Sequence, residues 1–205
     1  MYRHYPLFIR LWHLLNAVFF ILLIVSGLSM QYSNPDHPFI SLSASVRIHK
    51  ICGIGVTISY IIFFIGNMIT GNGKNYKIRF KNLLKSITIQ IRYYVRRSWE
   101  KPEPPFPVTS DRKFNPLQAL FYTNVMYIGV PLLFLTGLGL MFPDAVMDKI
   151  FGVSGLLLTD LLHVIIGFLM TAFMVVHIYM ASLGRTPFSS FRAIITGWQQ
   201  LETKD

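Results

Sequence analysis

The 205-residue chain is 53% hydrophobic and only 14% charged, with a mean hydropathy of +0.48, a composition that excludes an ordinary soluble domain and marks an integral membrane protein. Its net charge of +10, carried beside so much apolar sequence, implies contact with anionic lipid and not with nucleic acid. The single cysteine, Cys52, excludes an internal disulfide and reads as a small core residue, and no C-x-x-C-H is present to attach haem covalently.

Four apolar runs are long enough to cross about 30 Å of hydrocarbon, which takes roughly 20 helical residues. The first, 11–32, follows Arg3 and Arg10. It is too long for a signal-peptide core, and no small-x-small cleavage pattern precedes the polar "QYSNPDHP", so it is kept as a helix. The second is 51–70, the third 117–141 and the fourth 156–183. None contains Lys or Arg, and Asp160 is their one acidic residue. Unbroken runs of this kind lack the alternation of barrel strands, which leaves helices as the way to satisfy a backbone in lipid.

The stretch 71–115 between spans two and three holds 11 of the 19 basic residues. Within it, "KNYKIRFKNLLKSITIQIRYYVRRSW" sets Lys77, Lys81, Lys85, Arg92 and Arg96 at helical spacing, with Phe80, Leu83, Leu84, Ile87, Ile91 and Val95 largely on the other side. This predicts a helix lying in the membrane interface. A proline-stiffened "KPEPPFP" leads to "RKFNPLQ" at the start of span three. The tail, 184–205, contains "RTPFSSFRAIITGWQQLE", which predicts a second short interfacial helix after a proline-marked break. With two basic residues before span one and three after span four, 16 lie on one side and 3 (Arg47, Lys50, Lys149) on the other. The positive-inside rule then places both termini and the long loop in the cytoplasm. The whole is one all-α domain, a four-transmembrane-helix bundle with short interfacial helices on its cytoplasmic side.

Of the six histidines, His4 and His37 lie outside the spans and read as solvated or loop residues. His13, His49, His163 and His177 lie in or beside spans one, two and four, where an imidazole has to find a partner. His163 and His177 are fourteen residues apart, so they project from nearly one face of a helix, separated by about 21 Å along its axis. Alternating span direction then pairs His13 with His177 at the cytoplasmic depth and His49 with His163 at the outer depth. Two imidazoles facing each other without Cys or carboxylate suit a six-coordinate haem iron; zinc would ask for further ligands. The residue four positions after each histidine is Ala17, Gly53, Gly167 or Ala181, small side chains that make room for a flat macrocycle. Arg10 and Arg185 flank the first pair and Arg47 with Lys50 the second, either to meet haem propionates or to snorkel at the interface.

With these residues assembled, the chain resembles the di-haem cytochrome b membrane subunits of formate dehydrogenases, thiosulfate reductases and nickel-iron hydrogenases. The likeness runs through the histidine in each of the first two helices, the fourteen-residue separation in the fourth, the basic stretch ending in "NPLQ", and the tail "HIYMASLGRT...FRAIITGW". The resemblance implies a bacterial inner-membrane location and two b haems, with iron ligated by His13, His49, His163 and His177. It also implies quinone contacts at Asn115 and Gln118, although Asn115 reads equally as an N-cap ahead of Pro116. The implied activity is electron transfer across the membrane between menaquinone or ubiquinone and an extracytoplasmic iron-sulfur, molybdopterin, hydrogenase or multihaem subunit. A free-standing cytochrome b561-type quinone oxidoreductase is the alternative. A transporter or scaffold with proton-relaying histidines is a third reading.

Overall fold

A computed structural model describes residues 2–3, 7–34, 36–78, 82–100, 104–107, 114–182 and 188–199. It is all-α apart from two pairs of two-residue strands. Among the described residues four helices are long and apolar enough to cross a membrane: α1 (Leu7–Tyr32), α2 (Leu42–Thr70), α4 (Pro116–Met141) and α5 (Gly155–Ser182). Two shorter ones are α3 (Leu83–Glu100) and α6 (Ser189–Thr196). Large hydrophobic side chains lie exposed along all four long helices, as a lipid-facing surface requires, and the fully buried side chains include the small Ser26 and Ser45. The chain is a multi-pass membrane protein.

The long helices outrun the apolar spans that the charge pattern marks. α2 begins nine residues before Ile51 because Ser41 caps it, its Oγ accepting from Ala44 N at 3.4 Å. Arg47, His49 and Lys50 are therefore helical residues in the second and third turns. α1 likewise begins at Leu7, which puts Arg10 and His13 inside the helix. α2 ends at Gly71, whose φ of 66° is the left-handed conformation that glycine adopts without penalty, and a 3-10 turn over Asn72–Tyr76 follows.

Two compact units divide the chain, and α2 and α4 contribute to both. The first comprises Met1–Tyr60 and Phe134–Asp205. In it, α1 packs against α2 with Asn16 Nδ2 donating to Ser59 Oγ at 2.6 Å and Trp12 Nε1 to the Ser59 carbonyl at 3.3 Å. Gly55 permits this approach, since a Cβ there would stand 2.7 Å from the Phe19 ring. A hairpin precedes α5, with Lys149–Ile150 (β2) paired to Val153–Ser154 (β3) through Phe151 and Gly152, both at positive φ as a tight two-residue turn demands. α6 packs on α5, and the Trp198–Gln199 strand (β4) beyond it pairs antiparallel with Tyr2–Arg3 (β1).

The second unit is Ile61–Leu133. Its centre is Tyr76, whose ring lies 5.4 to 5.6 Å from those of Phe63, Phe114 and Tyr127. Burial there, with Tyr127 and Tyr122 nearby, pushes the Tyr76 phenol well above its ordinary pKa. Asn72 Nδ2 donates to Asn67 Oδ1 at 2.7 Å, and Asn67 Nδ2 donates to Tyr127 Oη at 3.2 Å. α4 contains a π turn over Val125–Gly129, in which Val130 N donates to the Val125 carbonyl. Pro131 follows at once, and the widened turn accommodates a residue that has no N–H and would crowd the carbonyl four positions back.

The amphipathic helix is present but shorter than its pattern suggests. Asn82 at φ 59° sets its start at Leu83, so Lys77 lies outside it, while Arg79, Phe80 and Lys81 fall outside the described residues. The tail helix forms at Ser189–Thr196 and ends on Gly197 at φ 83°. Much of the proline-rich linker (101–103, 108–110) and the break before the tail helix (183–187) also lie outside the described residues.

Candidate functional site

The four span histidines come together in the first unit as two pairs. His13, in the second turn of α1, faces His177 near the end of α5, with ring centres 6.2 Å apart and planes at 44°. His49 of α2 faces His163 of α5, again with centres 6.2 Å apart and planes at 67°. Phe173, one turn before His177, stacks on that ring at 5.7 Å. The first pair joins the start of α1 to the end of α5, which runs antiparallel to it, and the second joins the starts of α2 and α5, which run parallel.

Each pair fits a metal between its rings. A metal–imidazole bond of about 2.0–2.1 Å, with the ring centre about 1.1 Å behind the coordinating nitrogen, puts the centres of two opposed imidazoles about 6 Å apart. Among the described residues no group of three or more His, Cys, Asp and Glu is placed to share an ion, so neither pair completes a zinc-type ligand set. An iron porphyrin takes its remaining four bonds from the macrocycle and asks the protein for two. His13 Nδ1 is buried without a hydrogen-bond partner among the described residues, a costly state for a ring nitrogen. Space for a flat group exists at Gly53 and Gly167, one turn beyond His49 and His163, where an added Cβ would meet nothing within 4 Å.

The residues around the pairs are placed as follows. Arg10 turns to the tail: its Nε donates to the Ile194 carbonyl at 3.2 Å and its Nη2 to the Ile195 carbonyl, closing the end of α6. Arg47 is exposed on α2 two residues before His49, with Nε donating to the Ser43 carbonyl at 3.3 Å. Arg185 and His4 lie outside the described residues. Asn115 and Gln118 form a capping box at the start of α4: Asn115 Oδ1 accepts from Gln118 N at 2.9 Å, and Gln118 Oε1 accepts from Asn115 N at 3.2 Å. Asn115 Nδ2 donates to Tyr94 Oη at 2.9 Å. Of the two readings the sequence allowed for Asn115, the N-cap is the one the geometry displays.

Two residues at the site escape a reading based on histidine spacing. Ser26 Oγ stands 3.0 Å from His49 Nδ1, and Thr136 Oγ1 stands 2.8 Å from His163 Nδ1. Each is followed by a glycine against which the same ring lies, with the position of a Cβ on Gly27 or Gly137 at 3.4 Å from Cε1 of His49 or His163. The signal is a shared triplet, Ser26-Gly27-Leu28 in α1 and Thr136-Gly137-Leu138 in α4.

Paired, half-buried imidazoles on membrane-spanning helices define a membrane cytochrome b. The chain belongs to the prokaryotic cytochrome b561 family, whose pattern it matches over residues 4–197. Membership assigns it haem b and a part in electron transfer. It is similar to the protein named "Putative cytochrome YdhU" from Escherichia coli (strain K12), with 35% identity over 192 residues that cover 94% of this chain and 72% of that protein. No solved structure matches the chain.

Proposed function

We propose that the chain holds two b haems, one between His13 and His177 and the other between His49 and His163. It would carry electrons through the membrane between a quinone, menaquinone or ubiquinone, and an extracytoplasmic oxidoreductase subunit. The observation that carries this reading is the pair of matched ring separations, each 6.2 Å, at two depths of the same helix. Haem, when bound, supplies a one-electron iron couple; the chain contributes the ligands, their burial and their orientation, which set the potential.

By the charge asymmetry, the His13 end of α1 faces the cytoplasm, where quinone is served, and the His49 end faces the partner. The iron-sulfur, molybdopterin, hydrogenase or multihaem character of that partner follows from the resemblance. Arg47, beside His49 on α2, is the cation best placed to meet a propionate at the outer site. Arg10, with two donors on the tail helix, serves first to fasten that helix.

The test is haem content and visible spectroscopy of single variants. The native chain should carry two haems, His163→Ala should lose the outer one alone, and His177→Ala the cytoplasmic one alone. One haem per native chain, or equal loss of both from either folded variant, overturns the pairing.

A free-standing cytochrome b561-type quinone oxidoreductase is the second reading, favoured by the description of the family itself. Purification in mild detergent separates the two. A chain that runs alone and is fully active with quinone and a small soluble reactant establishes the second reading.

A further inference from the structure

We propose that Ser26 and Thr136 are positioning residues that fix the tautomer of His49 and His163 and lower the potential of the outer haem. This rests on the two-haem reading above. The hydrogen of the Ser26 hydroxyl is already committed, because Oγ lies 2.6 Å from the Leu22 carbonyl and 3.2 Å from that of Leu23, and a carbonyl only accepts. The remaining contact of that oxygen, 3.0 Å to His49 Nδ1, is therefore one in which Nδ1–H donates and Oγ accepts. A neutral imidazole with its proton on Nδ1 has its lone pair on Nε2, the nitrogen it offers to a metal.

Thr136 repeats the arrangement on the opposite ring. Its Oγ1 is 2.8 Å from His163 Nδ1 and buried, with 7% of the residue exposed. Of the threonines elsewhere in these spans, Thr123 gives its hydroxyl hydrogen to the Tyr76 carbonyl, while Thr57, Thr159 and Thr171 give theirs to the carbonyl four residues back at 2.8 to 2.9 Å. A Thr136 hydroxyl used in that way accepts from the imidazole as Ser26 does. The glycines that follow let each ring lie against helix backbone, with a Cβ position 3.4 Å from Cε1 in both cases. Two helices that ligate nothing, α1 at this depth and α4, thus hold the two ligands of one site from outside.

A donated Nδ1–H gives the ring more imidazolate character, raises its basicity and favours the ferric state. Removing the acceptor should therefore raise the outer potential. At the His13–His177 site the arrangement differs, since His13 Nδ1 has no partner among the described residues.

The experiment is a spectroelectrochemical titration of the full chain in detergent, with the outer haem identified as the band missing from His163→Ala. Ser26→Ala and Thr136→Val should each shift the outer ferric/ferrous equilibrium about tenfold toward ferrous, which for one electron is about +59 mV. Ser26→Thr should hold the native value, and the cytoplasmic haem should not move. Loss of the outer haem from Ser26→Ala with recovery in Ser26→Thr also supports the assignment. Two haems bound with an unmoved outer potential, or a shift confined to the cytoplasmic haem, overturns it. A native chain with fewer than two haems fails the two-haem reading instead, so the two failures are distinct.

Discussion

Asn115 carries two readings in the sequence, quinone contact and N-cap, and its hydrogen bonds with Gln118 display the cap. Asn115 satisfies one free N–H at the start of α4, and Gln118 returns the favour. Asn115→Ala removes the cap and the bond to Tyr94 together, so it should cost on the order of 1–2 kcal/mol. Thermal unfolding in detergent should register the loss, while a pyridine haemochrome assay should find haem content unchanged. A weakened affinity for quinone at unchanged stability would give Asn115 the quinone contact as well. At this scale the histidines are legible because an imidazole in an apolar span is rare and its helical phase can be counted. Ser26 and Thr136 are not, because hydroxyls are common in such spans and many of them bond to a carbonyl of their own helix. Only a neighbouring ring singles one out, and that ring comes from another part of the chain.

Among the elements, α3 shows what periodicity conveys and where it stops. One stripe, Ser86, Gln90, Tyr93 and Asn115's partner Tyr94, turns toward protein, with Gln90 3% and Tyr93 8% exposed. A second, Leu84, Ile91 and Val95, is exposed and apolar, and a third, Lys85, Arg92 and Arg96, is exposed and basic. A helix with three such faces can rest on protein, lipid and water at once. A nitroxide at Ile91→Cys should therefore collide with dissolved oxygen more than with a water-soluble nickel chelate, and one at Arg92→Cys the reverse. Equal accessibility at both positions would lift α3 off the bilayer. The apolar and basic stripes are readable from spacing. The protein-facing stripe is not, because glutamine and tyrosine carry no mark of burial until α4 is folded against them. The helix starts are hidden for a similar reason: Ser41 acts through a side-chain cap and Asn82 through its backbone conformation, and a hydropathy pattern is blind to both.

For the molecule as a whole, orientation and connectivity come from different physics. Orientation rests on the 16-to-3 distribution of basic residues across the two sides. Connectivity has a check of its own in the strand pair of Tyr2–Arg3 with Trp198–Gln199. Hydrogen-bonded strands occupy one aqueous compartment, so the chain between them must traverse the bilayer an even number of times. Three or five crossings would part them by the full thickness of the hydrocarbon. Four satisfies this parity without reference to charge, and it holds whichever way the protein is inserted. Cysteines introduced at Tyr2 and Gln199 should accordingly be labelled by an impermeant reagent from the same face of sealed vesicles. Which face that is remains a matter for the lysines and arginines; that it is one face is written in the backbone.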